Sequence, residues 1–211
     1  RYPLDIGLVP VRWGRSQRAA ILSLRGQAPG SEGDAALGVG VGAEEFRSAF
    51  AAQCLIGAFR DEWGSEWRSL EAGVIGEVSR PAIADWSDLS RFTPPHELLD
   101  GLDVTPSHDS YARTDRFVIA HSAVQPFQRL MFLRGLEQLL IDIGLNAPQL
   151  HDLLRLIHEY NVRELRLLSA ASADAIAFKD DWGTQTSLLI SPRTWRRLFK
   201  PLYAEYCDIV H

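Results

Sequence analysis

The chain has 211 residues, 46% of them hydrophobic, enough to bury the core of one ordinary domain. Its 22 Lys and Arg stand against 27 Asp and Glu, a formal net charge of -5. That balance excludes a general binder of phosphate backbones, which needs a concentrated basic face, so no nucleic-acid partner is expected.

The two cysteines, Cys54 and Cys207, sit far apart inside apolar or helical patterns. Neither a disulfide framework nor a CxxC metal pair is expected from them, only two buried free thiols. No stretch reaches the ~18 consecutive apolar residues of a membrane span, and no signal peptide is expected. No membrane partner is expected, and the cytoplasm is the expected location.

In chain order, residues 3–11 read as a short apolar strand, and 12–42 are rich in Gly, Ala and Arg. The glycine run at 38–42 lacks both the Lys-Ser/Thr of a P-loop and the spacing of a dinucleotide fingerprint, so it reads as a turn. A short helix is expected over 44–52 and an apolar strand over 54–59. An irregular, proline-punctuated stretch then runs to about residue 112, with a helical turn at 98–102.

The second half is more regular. Residues 116–121 (RFVIAH) read as a strand, and Pro126 suits the first turn of a helix running to Ile143 and ended by Gly144. Asn146 is expected to cap the next helix, with Gln149 as capping-box partner. That helix carries a stripe of Leu150, Leu153, Leu154, Ile157, Tyr160, Leu165 and Leu168. A strand over 174–179 (DAIAFK) follows. Ser191 caps a last helix with Pro192 in its first turn, and Pro201 should kink it.

Strands alternating with helices point to parallel βα units. About four strands are legible, against the eight strands and ~250 residues of a closed barrel, so the chain reads as an α/β fold that is either an open sheet or an incomplete barrel. Starting at Arg1 and stopping at His211, it reads as a piece cut at both ends.

Carboxylates at strand ends are the main chemical signal, because ligands of parallel α/β folds bind at the C-terminal face. Asp61 follows the 54–59 strand, Asp180 and Asp181 follow the 174–179 strand, and His121 ends the strand before. Burial would raise such a carboxyl's pKa and fit it for acid–base work. The competing reading is that each acid caps the turn that follows it. His96 and His108 are expected to be solvated, His151 and His158 to lie on a helix surface. Trp63, Trp67, Trp86, Trp182 and Trp195 could wall a pocket for a flat ligand or simply fill the core.

Several segments together resemble one superfamily. Residues 127–142 (FQRLMFLRGLEQLLID) are similar to its "FERLxFLRGxExLLxDL" helix, and 173–185 (ADAIAFKDDWGTQ) to its "ADxIxxxDDxGTQ" strand and loop. Residues 190–201 resemble "ISPxxWRxxxKP", 60–67 "DEWGxxW", 74–86 "GxxGxVxxPxxxDW" and 1–7 "RxPLDxGG". The family is that of the uroporphyrinogen decarboxylase-like proteins, which includes corrinoid-dependent methyltransferases. The resemblance implies a (β/α)8 TIM-type barrel, here one domain over 1–211 lacking its C-terminal part.

It also implies an enzyme acting on a tetrapyrrole or corrinoid, free or carried on a corrinoid protein. The "DEWGxxW" and "DDxGTQ" patterns resemble the methyltransferase-type branch, which moves a methyl group between a corrinoid and a thiol. There, zinc bound by His and Cys activates the thiol; such ligands would lie past His211, so no cofactor is expected within this chain. The alternatives are a cofactor-free decarboxylase, in which Asp61 resembles the Asp that holds pyrrole N–H groups, and a non-catalytic tetrapyrrole-binding barrel. The decarboxylase's "RQAGR" motif has no clear counterpart. The expected catalytic residues are Asp61, His121, Asp180 and Asp181, and the expected substrate contacts are Trp63, Phe127, Trp182 and Gln185.

Overall fold

A computed structural model of the chain describes residues 24–25, 36–37, 57–70, 76–100, 103–105, 108–109, 118–171 and 173–211. The strand expected over 3–11, the glycine run, the helix expected over 44–52 and Cys54 lie outside them. Strands β1 (Leu24–Arg25) and β2 (Ala36–Leu37) form a short antiparallel pair.

Next come β3 (Gly57–Arg60), β4 (Glu66–Ser69) and β5 (Glu77–Arg80), an antiparallel sheet in the order β3-β4-β5. This corrects two expectations. The segment before Asp61 is not a parallel strand, and the stretch beyond it is not irregular throughout. Four-residue strands reading EWRS and EVSR are too short and too polar to show a period, so periodicity passes over them. Trp67 and Ser69 are buried while Arg68 points out, the alternation of a strand covered on one face. Gly76 leads into β5, where an added Cβ would stand 2.3 Å from the Arg68 carbonyl oxygen. Only glycine fits so close an approach.

Two 3-10 turns follow, Trp86–Arg91 and His96–Leu98. Asp85 caps the first by accepting from the Ser87 N–H, and Asp88 reaches back to the Asp85 N–H.

The second half forms a strand–helices–strand unit. β6 (Ile119–His121) and β7 (Ala175–Ala177) run parallel, Ile119 opposite Ala175. Helices α1 (Pro126–Arg134), α2 (Leu136–Leu145) and α3 (Pro148–Ser169) connect them. The single helix expected from 126 to 143 is two. The chain turns at Gly135 with φ 79° and ψ 143°, a region open mainly to glycine. Arg134 braces this break: its Nε donates to Asp142 at 2.7 Å, and Nη1 donates to the carbonyls of Ile83 and Ala84. Its guanidinium lies 4.2 Å from the centre of the Trp86 ring.

Asn146, expected to start the next helix, instead ends α2 in the left-handed region at φ 51°, and Pro148 opens α3. The α3 stripe is buried as its spacing requires, against α1 and α5. Ser191 caps α4 (Pro192–Leu198), its Oγ accepting from the Thr194 N–H. The chain then divides at Phe199, and Pro201 sits in the first turn of α5 (Lys200–Val210).

Phe127, Leu130, Leu133, Leu139, Leu150, Leu153, Ile157 and Phe199 form the main core, joined by Trp63, Ile83 and Leu99 from the first half. Among the described residues no helix is long and apolar enough to cross a membrane.

Candidate functional site

Asp61 does not end a strand running alongside β6. It is buried in the β3–β4 hairpin, and its carboxylate accepts from the Ser65 N–H at 2.8 Å and from the Trp67 indole N–H at 2.9 Å. Its side chain organises its own turn. Ser65 in turn donates to the Phe132 carbonyl, pinning the hairpin onto α1.

Asp180 lies beyond β7 and also turns inward. Its two oxygens accept from the Phe127 and Gln128 N–H groups at 3.0 and 2.8 Å, and one accepts from the Tyr203 hydroxyl at 2.9 Å. It therefore caps α1, the helix that follows the neighbouring strand, and ties it to α5. Burial raises its pKa and these donors partly restore it. Asp181 is exposed, with only a 3.4 Å contact to the Gly183 N–H, and Gln185 is exposed as well. His121 ends β6, the strand expected for it; its side chain lies outside the described residues.

Phe127 is fully buried and stacks on half-buried Trp182, ring centres 4.8 Å apart, with Phe199 and Tyr203 closing around the indole. That group is packed core. His158, expected on the surface, is bonded to Tyr206 and Glu205 of α5. His96 is half-buried: its ring stands 5.7 Å from that of Tyr160, and its Nδ1 is shielded with no hydrogen-bond partner among the described residues.

A different cluster gathers where hairpin, α1 and α3 meet, just past the C-terminal end of β6. Arg129 of α1 is buried, its guanidinium 4.4 Å from the centre of the Trp63 ring. Tyr160 of α3 meets the same indole edge-on at 4.8 Å. One turn further along α3, Glu164 is buried and accepts from the Ala123 N–H at 2.6 Å, two residues beyond β6. Glu62, in the hairpin turn, completes the group: both of its carboxylate oxygens are buried, with no hydrogen-bond partner from any other described residue.

The electrostatics follow from this crowding. Burial pushes Glu62 up to about 7, opposed by its own backbone N–H, helped by the neighbouring Asp61 charge and opposed by Arg129. Burial likewise pushes Glu164 up to about 7, against the pull of the Ala123 N–H and Arg129. Burial brings Arg129 down to about 10, opposed by Asp61, Tyr160, Glu62 and Glu164, so it stays cationic at neutral pH. Burial also raises Tyr160, which remains a protonated hydroxyl. Two carboxyls titrating near neutrality beside a fixed cation make a group able to take or give a proton at physiological pH.

None of Glu62, Arg129, Tyr160, Glu164 or His96 was expected as a site residue. The legible signal was Glu164, a charged residue on the apolar face of α3, one turn from Tyr160 on one side and Leu168 on the other. Among the described residues no group of three or more His, Cys, Asp or Glu side chains could hold a metal ion. No family model matches the chain, and neither a curated protein nor a solved structure matches it.

Proposed function

We propose that this chain belongs to a uroporphyrinogen decarboxylase-like barrel enzyme of the methyltransferase type, cytoplasmic, moving a methyl group between a corrinoid and a thiol. The observation that carries the reading is the Glu62–Arg129–Tyr160–Glu164 cluster, gathered beyond the C-terminal end of a strand in parallel pairing. Ligands of parallel α/β folds are bound at that end. A parallel pair joined through helices also suits a piece of a barrel.

The chemistry supports the same choice. A thiol attacks a methyl group as thiolate, and a carboxylate that titrates near 7 is matched to holding the proton it loses. The decarboxylase alternative asks Asp61 to hold pyrrole N–H groups. Here its oxygens are turned onto Ser65 and Trp67, which weighs against that role.

The test follows methylcobalamin absorbance with the complete purified protein, of which this chain reads as a piece, and 2-mercaptoethanol. Thiol-dependent demethylation, lost when Glu62 and Glu164 are both changed to Gln, is expected. Corrinoid binding without transfer would favour the non-catalytic reading, and carboxyl loss from uroporphyrinogen the decarboxylase. Neither binding nor turnover with either ligand would remove the proposal.

A further inference from the structure

The Glu62 oxygens, Arg129, Tyr160 and Glu164 are all shielded from solvent, so a ligand reaches them only if an element covering them moves. Hairpin, α1 and α3 are firmly held. Asp61 fastens the hairpin to its own turn and Ser65 fastens it to α1. Helices α1 and α3 bury Leu130, Leu133, Leu153 and Ile157 in the main core.

The segment Phe92–Asp100 is held differently. It lies against the two rings that stand around the Arg129 guanidinium. The Phe92 ring stacks on Trp63 with centres 6.3 Å apart, and the His96 ring stands 5.7 Å from Tyr160. Its backbone bonds stay local: among the described residues the N–H groups of Phe92, His96, Leu98, Leu99 and Asp100 all donate to carbonyls between Leu89 and His96. Apart from the burial of Pro94, Pro95 and Leu99, its described tie to the helices is the Arg163–Asp100 ion pair with α3, whose partners are 43% and 62% exposed. A segment that keeps its hydrogen bonds to itself can leave the body of a protein without breaking the ladders beneath it.

We infer that Phe92–Asp100 is a lid over the cluster, latched to α3 by Asp100 and Arg163. It lifts off Trp63 and Tyr160 to admit a ligand and closes again to keep water out. An exposed ion pair adds little to the stability of a whole fold, but this one bears on the lid and so sets its balance between open and closed. The inference rests on the proposed function only in taking the cluster for the binding site; the opening of the segment is independent of what binds.

The experiment uses the complete protein with Leu99→Cys or, separately, Leu153→Cys. Each is treated with a thiol reagent under native conditions, and modification is read by mass spectrometry. Leu99 is buried on the lid and Leu153 is fully buried in α3, so the second thiol reports opening of the fold as a whole. The Leu99→Cys thiol should react well before the Leu153→Cys thiol. Adding Arg163→Gln should speed the first by about two- to fivefold, the factor an exposed ion pair contributes, and leave the second unchanged. Raised salt should act in the same direction on the first alone. Hydrogen exchange in the wild type makes the same comparison without any substitution in the core, between the N–H groups of Leu98, Leu99 and Asp100 and those of α3.

Lid and α3 opening together, or a lid indifferent to Arg163→Gln, would overturn the inference. A lid that opens alone in a protein without methyl transfer would uphold it and sink the methyltransferase reading. Transfer by a protein whose lid opens no sooner than α3 would do the reverse.

Discussion

Replacing Glu62 by Gln should make the protein more stable above neutral pH and leave it nearly unchanged in mild acid. The side chain keeps its shape but can no longer ionise. Glu62 is raised from 4.5 to about 7, mainly by burial, so its charged form is disfavoured in the folded state by about 3 kcal/mol. The folded state holds this proton more tightly than the unfolded chain. The stabilisation is therefore fully present below about 4.5 and is lost as pH rises to about 7. Between pH 5 and pH 8 the variant should gain about 2–3 kcal/mol over wild type. Urea unfolding followed by tryptophan fluorescence at both pH values measures this, because all other titrations cancel in the difference. A difference that stays flat would refute the reasoning, for it would mean that Glu62 is solvated or paired in the folded protein.

Asp180→Ala strips an acceptor from two N–H groups at the start of α1 and from the Tyr203 hydroxyl. It should cost about 2–3 kcal/mol in urea unfolding, with Asp180→Asn about half as damaging. Arg134→Met leaves Asp142 charged and buried and should cost about 3–5 kcal/mol, whereas the pair Arg134→Met with Asp142→Leu should recover most of it. Gly135→Ala forces a side chain into φ 79° and should lower stability by about 1–2 kcal/mol. Gly144→Ala, in α2 with open space around it, should raise stability by about 0.5–1 kcal/mol, and melting temperatures of the two variants should move in opposite directions.

Much of the second half was legible because its information is local. The α3 stripe, the Ser191 cap and the two strands that pair as β6 and β7 each follow from periodicity or capping chemistry within a few residues. The errors fell where two local signals compete. Asn146 suits either end of a helix, and the φ demanded at Gly135 overrides an apolar pattern that continues across it. The β3-β4-β5 sheet escaped notice because strands of four residues carry no measurable period.

The rim acids were identified from their place after strands, and that place alone does not say which way a carboxylate turns. Asp61 and Asp180 turn toward backbone N–H groups, Trp67 and Tyr203, donors that only the folded chain brings within reach. In the second half sequence alone thus determined most of which segments coil or extend and which faces are apolar, since those depend on neighbours one turn or one residue away. Tertiary structure decided the chemistry. Glu62, Arg129, Tyr160 and Glu164 come from three separate segments, and their ionisation is set by mutual burial, which no local pattern records.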